Sequence, residues 1–574
     1  MKTKVSINSN NPVCRGMVSA SSAKKKHGLS LRNIGIIVTV VIFIISLIHM
    51  YFILPNRVIS LEEIKPELDA AENNCFREIR QNMDSEFVYM DNIDDKANIL
   101  INKYDGYKTL VPNDWKLDNT NFQYVTVLYN NNFKLSIFRE EIDLSYDTTQ
   151  TYIDYSNYYI RQNYGTIILL KDYIKYLGLF QTQIIAWKRE KILTINDDLN
   201  YYYESNIILN DSVILTFLLK SNQNKIENYE ILVEEAISNL QLINQTKQSP
   251  ALGIPQNISE IKLDGEGLSL RIPNNKCVFG VYHAPRIDYW KELRELENSV
   301  NFRFELIMDY YNFKIPFKQA RENLLAIYGD QRFMLVTLQP FITQTAKEHD
   351  GSCLIPKIAN GEYDAFLFEW ACGLKELGEP VFLRFANEMN GDWAEWCSWF
   401  YSLDPDLYVM ACSRIHTLFE KVGASNVYFV WNPHDRTYPD YNWNKEYLYY
   451  PGNSKVDCIG LTAYNNGVTR ANEEWRDFDE CYSELYVEYM LRYNPKPFII
   501  TEFACNEIGG DKAEWIISAF HLLKEKYPNI RAAVWWDGVD DRWIYNIDST
   551  EQSQNAFKEA ISDSYFQIKS LNPI

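Results

Sequence analysis

From residue 262 onward, eight short apolar runs alternate with longer amphipathic stretches, and this alternation restricts the fold more than any other feature of the chain. The runs at 277–281, 304–308, 333–338, 381–385, 427–431, 456–463, 498–502 and 532–536 have the length and composition of strands buried on both faces. Between them, 363–377, 407–422, 477–493 and 512–526 space their apolar residues as core-facing helices do. Parallel strands need such crossovers. Eight units in roughly 300 residues fit closure into a (β/α)8 TIM barrel of the α/β class. The alternative is a doubly wound open sheet, which would carry a glycine-rich phosphate turn after its first strand. None follows Val281.

A barrel of this kind does its chemistry at the C-terminal ends of its strands. The fourth run here continues into Arg384-Phe385-Ala386-Asn387-Glu388, the seventh ends at Glu502, the fifth in Trp431-Asn432-Pro433-His434, the sixth in Tyr464-Asn465 and the eighth in Trp535-Trp536-Asp537. Carboxylates closing strands four and seven can meet across the mouth. A retaining glycosidase needs two such groups about 5–5.5 Å apart, one to protonate the leaving oxygen and one to attack the anomeric carbon. A single glutamate ending a strand is more often a solvated loop residue. The conjunction of Glu388, Glu502 and Tyr464 is what points to a site. Trp396 and Trp535 read equally well as barrel-wall residues and His283 and His434 as structural histidines, while a structural ion pair is the lesser alternative for Arg384.

The runs 358–364 (IANGEYD), Trp370-Ala371, 380–393 (PVFLRFANEMNGDW) and 449–461 (YYPGNSKVDCIGL), followed by Tyr464-Asn465, resemble the family-26 glycoside hydrolases. The resemblance covers 279–548 and implies a retaining, endo-β-mannanase-like (β/α)8 enzyme. It implies Glu388 as acid/base, Glu502 as nucleophile and Tyr464 as the tyrosine that hydrogen-bonds the nucleophile. Arg384 corresponds to the arginine bracing the carboxylates, Trp393 to an aromatic near the sugar, and Trp431 and Trp536 to stacking platforms. Asn387 stands where the family usually has histidine; in the wider clan of retaining barrels an asparagine there bonds the sugar 2-hydroxyl. The expected substrate is therefore a β-linked polysaccharide, β-1,4-mannan first, with glucan, xylan or a self-made exopolysaccharide as the alternative. A carbohydrate-binding pseudoenzyme is the competing reading, and binding alone would not require both carboxylates.

The rest of the chain sets the context. Residues 34–54 form an apolar run without Asp, Glu, Lys or Arg, long enough to cross a bilayer as one helix. Lys24, Lys25, Lys26 and Arg32 precede it, so residues 1–33 are expected as a cytoplasmic tail and everything after Pro55 outside, at a bacterial cell surface. Residues 61–83 read as a short helical stalk. The 55–243 region is expected as an extracytoplasmic α+β domain with strands at 122–129, 133–140, 180–189, 201–209 and 212–220 and a closing helix at 228–239. Its Tyr107, Pro112 and Trp115 with that helix resemble PsbP-like domains. Residues 244–259 read as a linker and 260–574 as the barrel. A net charge of −19 excludes nucleic acid as a partner. The ten cysteines show no metal-ligand spacing, so no metal and no cofactor are expected. The expected partners are the polysaccharide, the membrane through 34–54, and polysaccharide-synthesis machinery.

Overall fold

The computed structural model describes residues 59–75, 86–145, 147–222, 225–247, 260–266, 268–284, 288–471, 473–493 and 495–568. The tail, the apolar segment 34–54 and most of the linker lie outside these residues. Among the described residues no helix is long and apolar enough to cross a membrane.

The first helix, α1 (Leu61–Cys75), is the one expected as a stalk. It does not stand free. Ile64 and Leu68 are buried, Asp69 pairs with Arg414 at 3.0 Å, and Glu67 pairs with Lys421. Its apolar positions are four apart and share one face, and that face lies on the outer helices of the barrel.

Strands β1 (Val88–Asn92), β2 (Ala97–Asn102) and β3 (Tyr107–Pro112) form a small antiparallel sheet. A second antiparallel sheet holds β4 (Lys116–Asp118), β5 (Thr126–Asn130), β6 (Phe133–Glu141), β7 (Ile168–Leu177), β8 (Phe180–Lys188), β9 (Tyr201–Asn210) and β10 (Val213–Ser221), in the order β4-β5-β6-β10-β9-β8-β7. Two short helices, α2 (Thr149–Ser156) and α3 (Tyr158–Arg161), lead into β7, and α4 (Ile226–Ser238) packs its Val233 and Ile237 into the core. The two-residue β11 (Gln241–Leu242) returns the chain to β3. A hairpin of β12 (Ile261–Asp264) and β13 (Ser269–Ile272) then precedes the barrel.

The barrel closes through eight parallel strands. They are β14 (Val278–His283), β15 (Leu306–Asn312), β16 (Phe333–Gln339), β17 (Val381–Phe385), β18 (Val427–Trp431), β19 (Cys458–Asn465), β20 (Phe498–Cys505) and β21 (Ile530–Asp537). Crossover helices α5 (Tyr289–Val300), α6 (Phe317–Gly329), α7 (Leu354–Ala359), α8 (Asp364–Leu377), α9 (Pro405–Val422), α10 (Phe478–Tyr493), α11 (Lys512–Glu525) and α12 (Glu551–Ile561) surround it.

One position in that ring has no α-helix. Residues 432–457, between β18 and β19, form only 3₁₀ turns. Here the α+β region covers the barrel instead. Tyr441 and Trp443 of this connection share one apolar core with Val125, Phe138, Tyr152, Ile153, Trp187 and Tyr202. Lys220 of β10 reaches Asp404 at 2.9 Å, and Lys134 of β6 reaches Asp406 at 2.9 Å. The α+β region and the barrel thus share an apolar core. A cavity of about 1110 Å³ lies along this boundary between β5, β6 and the start of α9, lined by neither Glu388 nor Glu502.

Candidate active site

Glu502 faces the lumen because of a bulge. Leu461 of β19 lies opposite Ile500, but its neighbour Thr462 lies opposite Glu502, so Thr501 is the extra residue. A β-bulge breaks the in–out alternation of a strand. Thr501 and Glu502 therefore both meet lumenal partners: Thr501 donates to Asn432 Oδ1 at 2.7 Å, and Glu502 is bound by Arg384 and Tyr464.

Asn432 is the hub beneath the site. Its Oδ1 accepts from Arg384 Nη1 at 2.7 Å as well as from Thr501, and its Nδ2 donates to Thr462 Oγ1 at 3.1 Å. The room for it comes from Gly460, where a Cβ would stand 2.6 Å from that of Asn432. Arg384 is fully buried and also donates to Thr337 Oγ1 at 2.7 Å. Its second guanidinium arm donates to Glu502 Oε1, and Tyr464 donates to Oε2 at 2.6 Å. Charge-assisted donors on both oxygens fix the plane of this carboxylate and supply its counter-charge.

Glu388 is held differently. It sits in the turn leaving β17, where Ala386 has φ +45° and Glu388 φ +58°. Neither is glycine, so each stores strain of about 1–3 kcal/mol that its surroundings must offset. The peptide N–H of Glu388 donates to Asn432 O at 2.8 Å, and that of Ala386 to Leu338 O at 3.1 Å. Burial pushes the Glu388 carboxyl up to about 7, helped by the charge of Glu502 and opposed by His434 and Arg384. The two carboxyl groups thus differ in kind: one gripped by donors, one desolvated and inclined to hold a proton near neutrality.

The remaining expected residues divide. Asn387 is buried and accepts from Gln339 Nε2 at 3.1 Å. Trp393 stands at the rim, its ring 5.2 Å from His434 and 5.8 Å from Tyr438. Trp536 packs on Tyr282 and donates from Nε1 to Tyr310 Oη at 3.2 Å. Trp431 is a correction. With Asn432 facing the lumen, the strand alternation turns Trp431 outward, where it is buried against Tyr450, Tyr489 and Tyr493. Trp396 and Trp535 are wall residues bonded to the carbonyls of Asn387 and Tyr545. His283 is buried and bonded through Nδ1 to Asp537 at 2.7 Å, while His434 lies on the rim.

Tyr310 is the residue that sequence reasoning missed. It lies beside Glu502 and under the Arg384 guanidinium, 5.7 Å from its ring centre, and burial and the Glu502 charge push its phenol well above the usual range. The signal was available in the period of two. Met308 faces the lumen, its Sδ accepting from Arg384 Nη2 at 3.1 Å, so Tyr310 does too once β15 is continued past Met308. Among the described residues no cluster of three His, Cys, Asp or Glu side chains is placed to hold a metal ion.

A chain segment is 30% identical over 276 residues to Endoglucanase H of Acetivibrio thermocellus, covering 47% of this chain and 28% of that protein. Another is 30% identical over 189 residues to a mannan endo-1,4-beta-mannosidase of Bacillus subtilis, covering 31% of this chain and 45% of that protein. The chain therefore spans less than half the length of either relative. The catalytic domain of the Bacillus sp. JAMB-750 GH26 endo-beta-1,4-mannanase aligns with 50% of this chain and 86% of its own, at 19% identity and a TM-score of 0.41. The model of glycosyl hydrolase family 26 matches residues 338–502, from the C-terminal half of β16 to Glu502 itself. Within the barrel, residues 338–502 are therefore recognised as glycosyl hydrolase family 26 sequence.

Proposed function

We propose that the barrel is an endo-β-glycanase that works by retaining double displacement, with β-1,4-mannan as the favoured substrate. The observation that carries the reading is the asymmetry of the two carboxyl groups at one mouth. Glu502, oriented by Arg384 and Tyr464, attacks the anomeric carbon. Glu388, raised to about 7, gives its proton to the departing oxygen. The glycosyl–Glu502 ester that results is opened by water, whose proton goes to Glu388, restoring both groups. Because the free enzyme needs Glu388 protonated, kcat/KM falls as pH rises through about 7. On this reading Asn387, Trp393 and Trp536 supply the amide and aromatic faces that a sugar ring uses.

The names of the relatives support an endo mode and divide on substrate: one is an endoglucanase, the other acts on mannan. A glucan therefore stays beside mannan as the second reading, with xylan and self-made exopolysaccharide behind it. The test is the full chain on a panel of β-glycans with product anomers followed by proton NMR. Retention is the expected result. Early appearance of the inverted anomer overturns the mechanism, and tight binding to one glycan with no turnover of any supports a binding protein instead.

We also propose that residues 34–54 anchor the chain in a membrane with the barrel outside, since their apolar length and the preceding lysines suit that orientation. Protease added to intact protoplasts should remove the barrel. Digestion only after lysis reverses the topology. An outward-facing glycanase would act on polysaccharide passing the cell surface, which is why synthesis machinery is its proposed partner.

A further inference from the structure

The loop that carries Glu388 runs from 386 to 404, and its left-handed residues cluster at its two ends: Ala386 and Glu388 at the start, Ser402 and Leu403 at the close. A loop strained at both ends keeps its shape only if something outside holds it. Part of the hold is within the barrel. Asn390 Nδ2 donates to His434 O at 3.0 Å and its Oδ1 accepts from His434 N at 2.8 Å, which knits the loop to the neighbouring strand end. The rest comes from the α+β region.

Tyr155 of α2 makes three of these contacts. Its hydroxyl donates to Asp392, four residues after Glu388 and next to Trp393. Its carbonyl accepts from Trp399 Nε1 at 2.8 Å, and its ring stacks on Trp399 with centroids 4.4 Å apart and planes 1° from parallel. Tyr164 donates to Glu395, a buried carboxylate that also accepts from Gly351 N at 2.7 Å and Ser352 Oγ at 3.0 Å. The residue after Glu395 is Trp396, whose Nε1 holds the carbonyl of Asn387 at 2.7 Å, one residue from Glu388. At the far end Asp404 is gripped by Tyr202 at 2.7 Å and Lys220 at 2.9 Å.

We propose that the α+β region positions the catalytic acid: through Tyr155 and Tyr164 it fixes the loop that sets where Glu388 stands. The assignment rests on the reading of Glu388 as acid/base given above. These tyrosines do not touch substrate; they are positioning residues acting through Asp392 and through the chain Glu395, Trp396 and Asn387. The geometry matters because proton transfer to a leaving oxygen requires hydrogen-bond distance in the transition state, and a displacement near 1 Å can cost on the order of 100-fold. The barrel site is therefore incomplete without the region that precedes it in the chain.

The experiment uses the full chain and the double variant Tyr155→Phe/Tyr164→Phe, which removes two hydroxyls and keeps both rings. Two substrates are compared: the polysaccharide that the wild type cleaves, and an aryl glycoside whose leaving group departs without a proton. The expected result is a fall in kcat/KM on the polysaccharide on the order of 10- to 100-fold, a shifted alkaline limb in its pH profile, and a change of less than about twofold on the aryl glycoside. A wild-type pH profile with equal activity on both substrates overturns the proposal. So does an equal loss on both, which would mark general loosening. Glu388→Ala, measured alongside, separates the two layers. If Glu388→Ala cleaves the polysaccharide normally, the acid/base reading itself fails. If Glu388→Ala is inactive while the tyrosine variant is normal, only the positioning proposal fails.

Discussion

Two buried sets of an arginine, a carboxylate and a tyrosine behave oppositely. In the α+β region Arg189 grips Asp198 with both guanidinium arms at 2.7 Å, and Asp198 also accepts from Ile192 N at 2.8 Å. Tyr202 accepts from Arg189 Nε at 2.9 Å and its hydroxyl donates to Asp404 at 2.7 Å. The Asp198 carboxylate is wholly enclosed and its donors come from one short stretch of chain. In the barrel, Arg384, Tyr464 and Glu502 come from β17, β19 and β20, Arg384 spends its other arm on Asn432, and a second carboxyl, Glu388, stands close enough to feel the charge of Glu502. Composition does not separate the sets. What separates them is that one is a closed pair whose hydrogen bonds are all used in holding the structure together, whereas the other sits at an open mouth opposite a group that can give and take a proton.

Isosteric substitution of the two carboxylates should separate them most sharply. On the proposed mechanism Glu502→Gln leaves no nucleophile, and turnover should fall by roughly four orders of magnitude or more on every substrate. Its folding stability should change less than that of Asp198→Asn, because Glu388 remains as a carboxyl beside Arg384. Asp198→Asn leaves the buried Arg189 charge without its counter-ion and should cost about 3–5 kcal/mol in urea unfolding. Any activity that survives in Asp198→Asn should keep the wild-type pH dependence. If both variants lose activity and stability in the same proportion, the distinction between the two sets is void.

The contrast also accounts for what the sequence made legible. The barrel strands could be placed within a few residues because parallel strands buried on both faces leave unbroken apolar runs, and a candidate site could be proposed because those runs end in Glu, Asn, Tyr and Trp. What was missed has local physical causes. Tyr310 was lost by ending β15 at Met308, and Trp431 was given the wrong face because the phase of β18 is set by Asn432, one residue further on. The bulge at Thr501 has no signature in a single sequence. In the α+β region β7 was overlooked because it is an edge strand, mostly exposed and without apolar alternation. The tyrosine-rich α2 was overlooked because its partners, Asp392 and Trp399, lie more than two hundred residues away in the chain. The packing of α1 was hidden for the same reason: an amphipathic helix announces its apolar face but not what covers it.

A raised carboxyl is itself no mark of catalysis, and Glu140 offers the finest test of that point. It is buried where the α+β region meets the barrel, accepts from Asn442 N at 2.6 Å, and is pushed by burial up to about 8 from an ordinary 4.5, against the lowering by that hydrogen bond and by Lys445. Glu388, at about 7, is raised chiefly by the same effect. For Glu140 the consequence falls on stability alone. The folded chain holds this proton more tightly than the unfolded chain, so its contribution is complete below about pH 4.5 and is lost as pH rises through about 8. Glu140→Gln keeps an oxygen for the Asn442 peptide and cannot ionise. The decline in unfolding free energy between pH 5 and 8 should therefore be shallower in the variant than in the wild type, by about 2–4 kcal/mol over that interval. Turnover at pH 6 should stay within about twofold of wild type, since Glu140 touches neither carboxylate of the site. Urea titrations across the pH range measure the first quantity and initial rates the second. An unchanged slope would mean that the boundary around Glu140 admits water. A large loss of turnover at constant stability would place Glu140 with Glu388 after all and dissolve the division between the two regions.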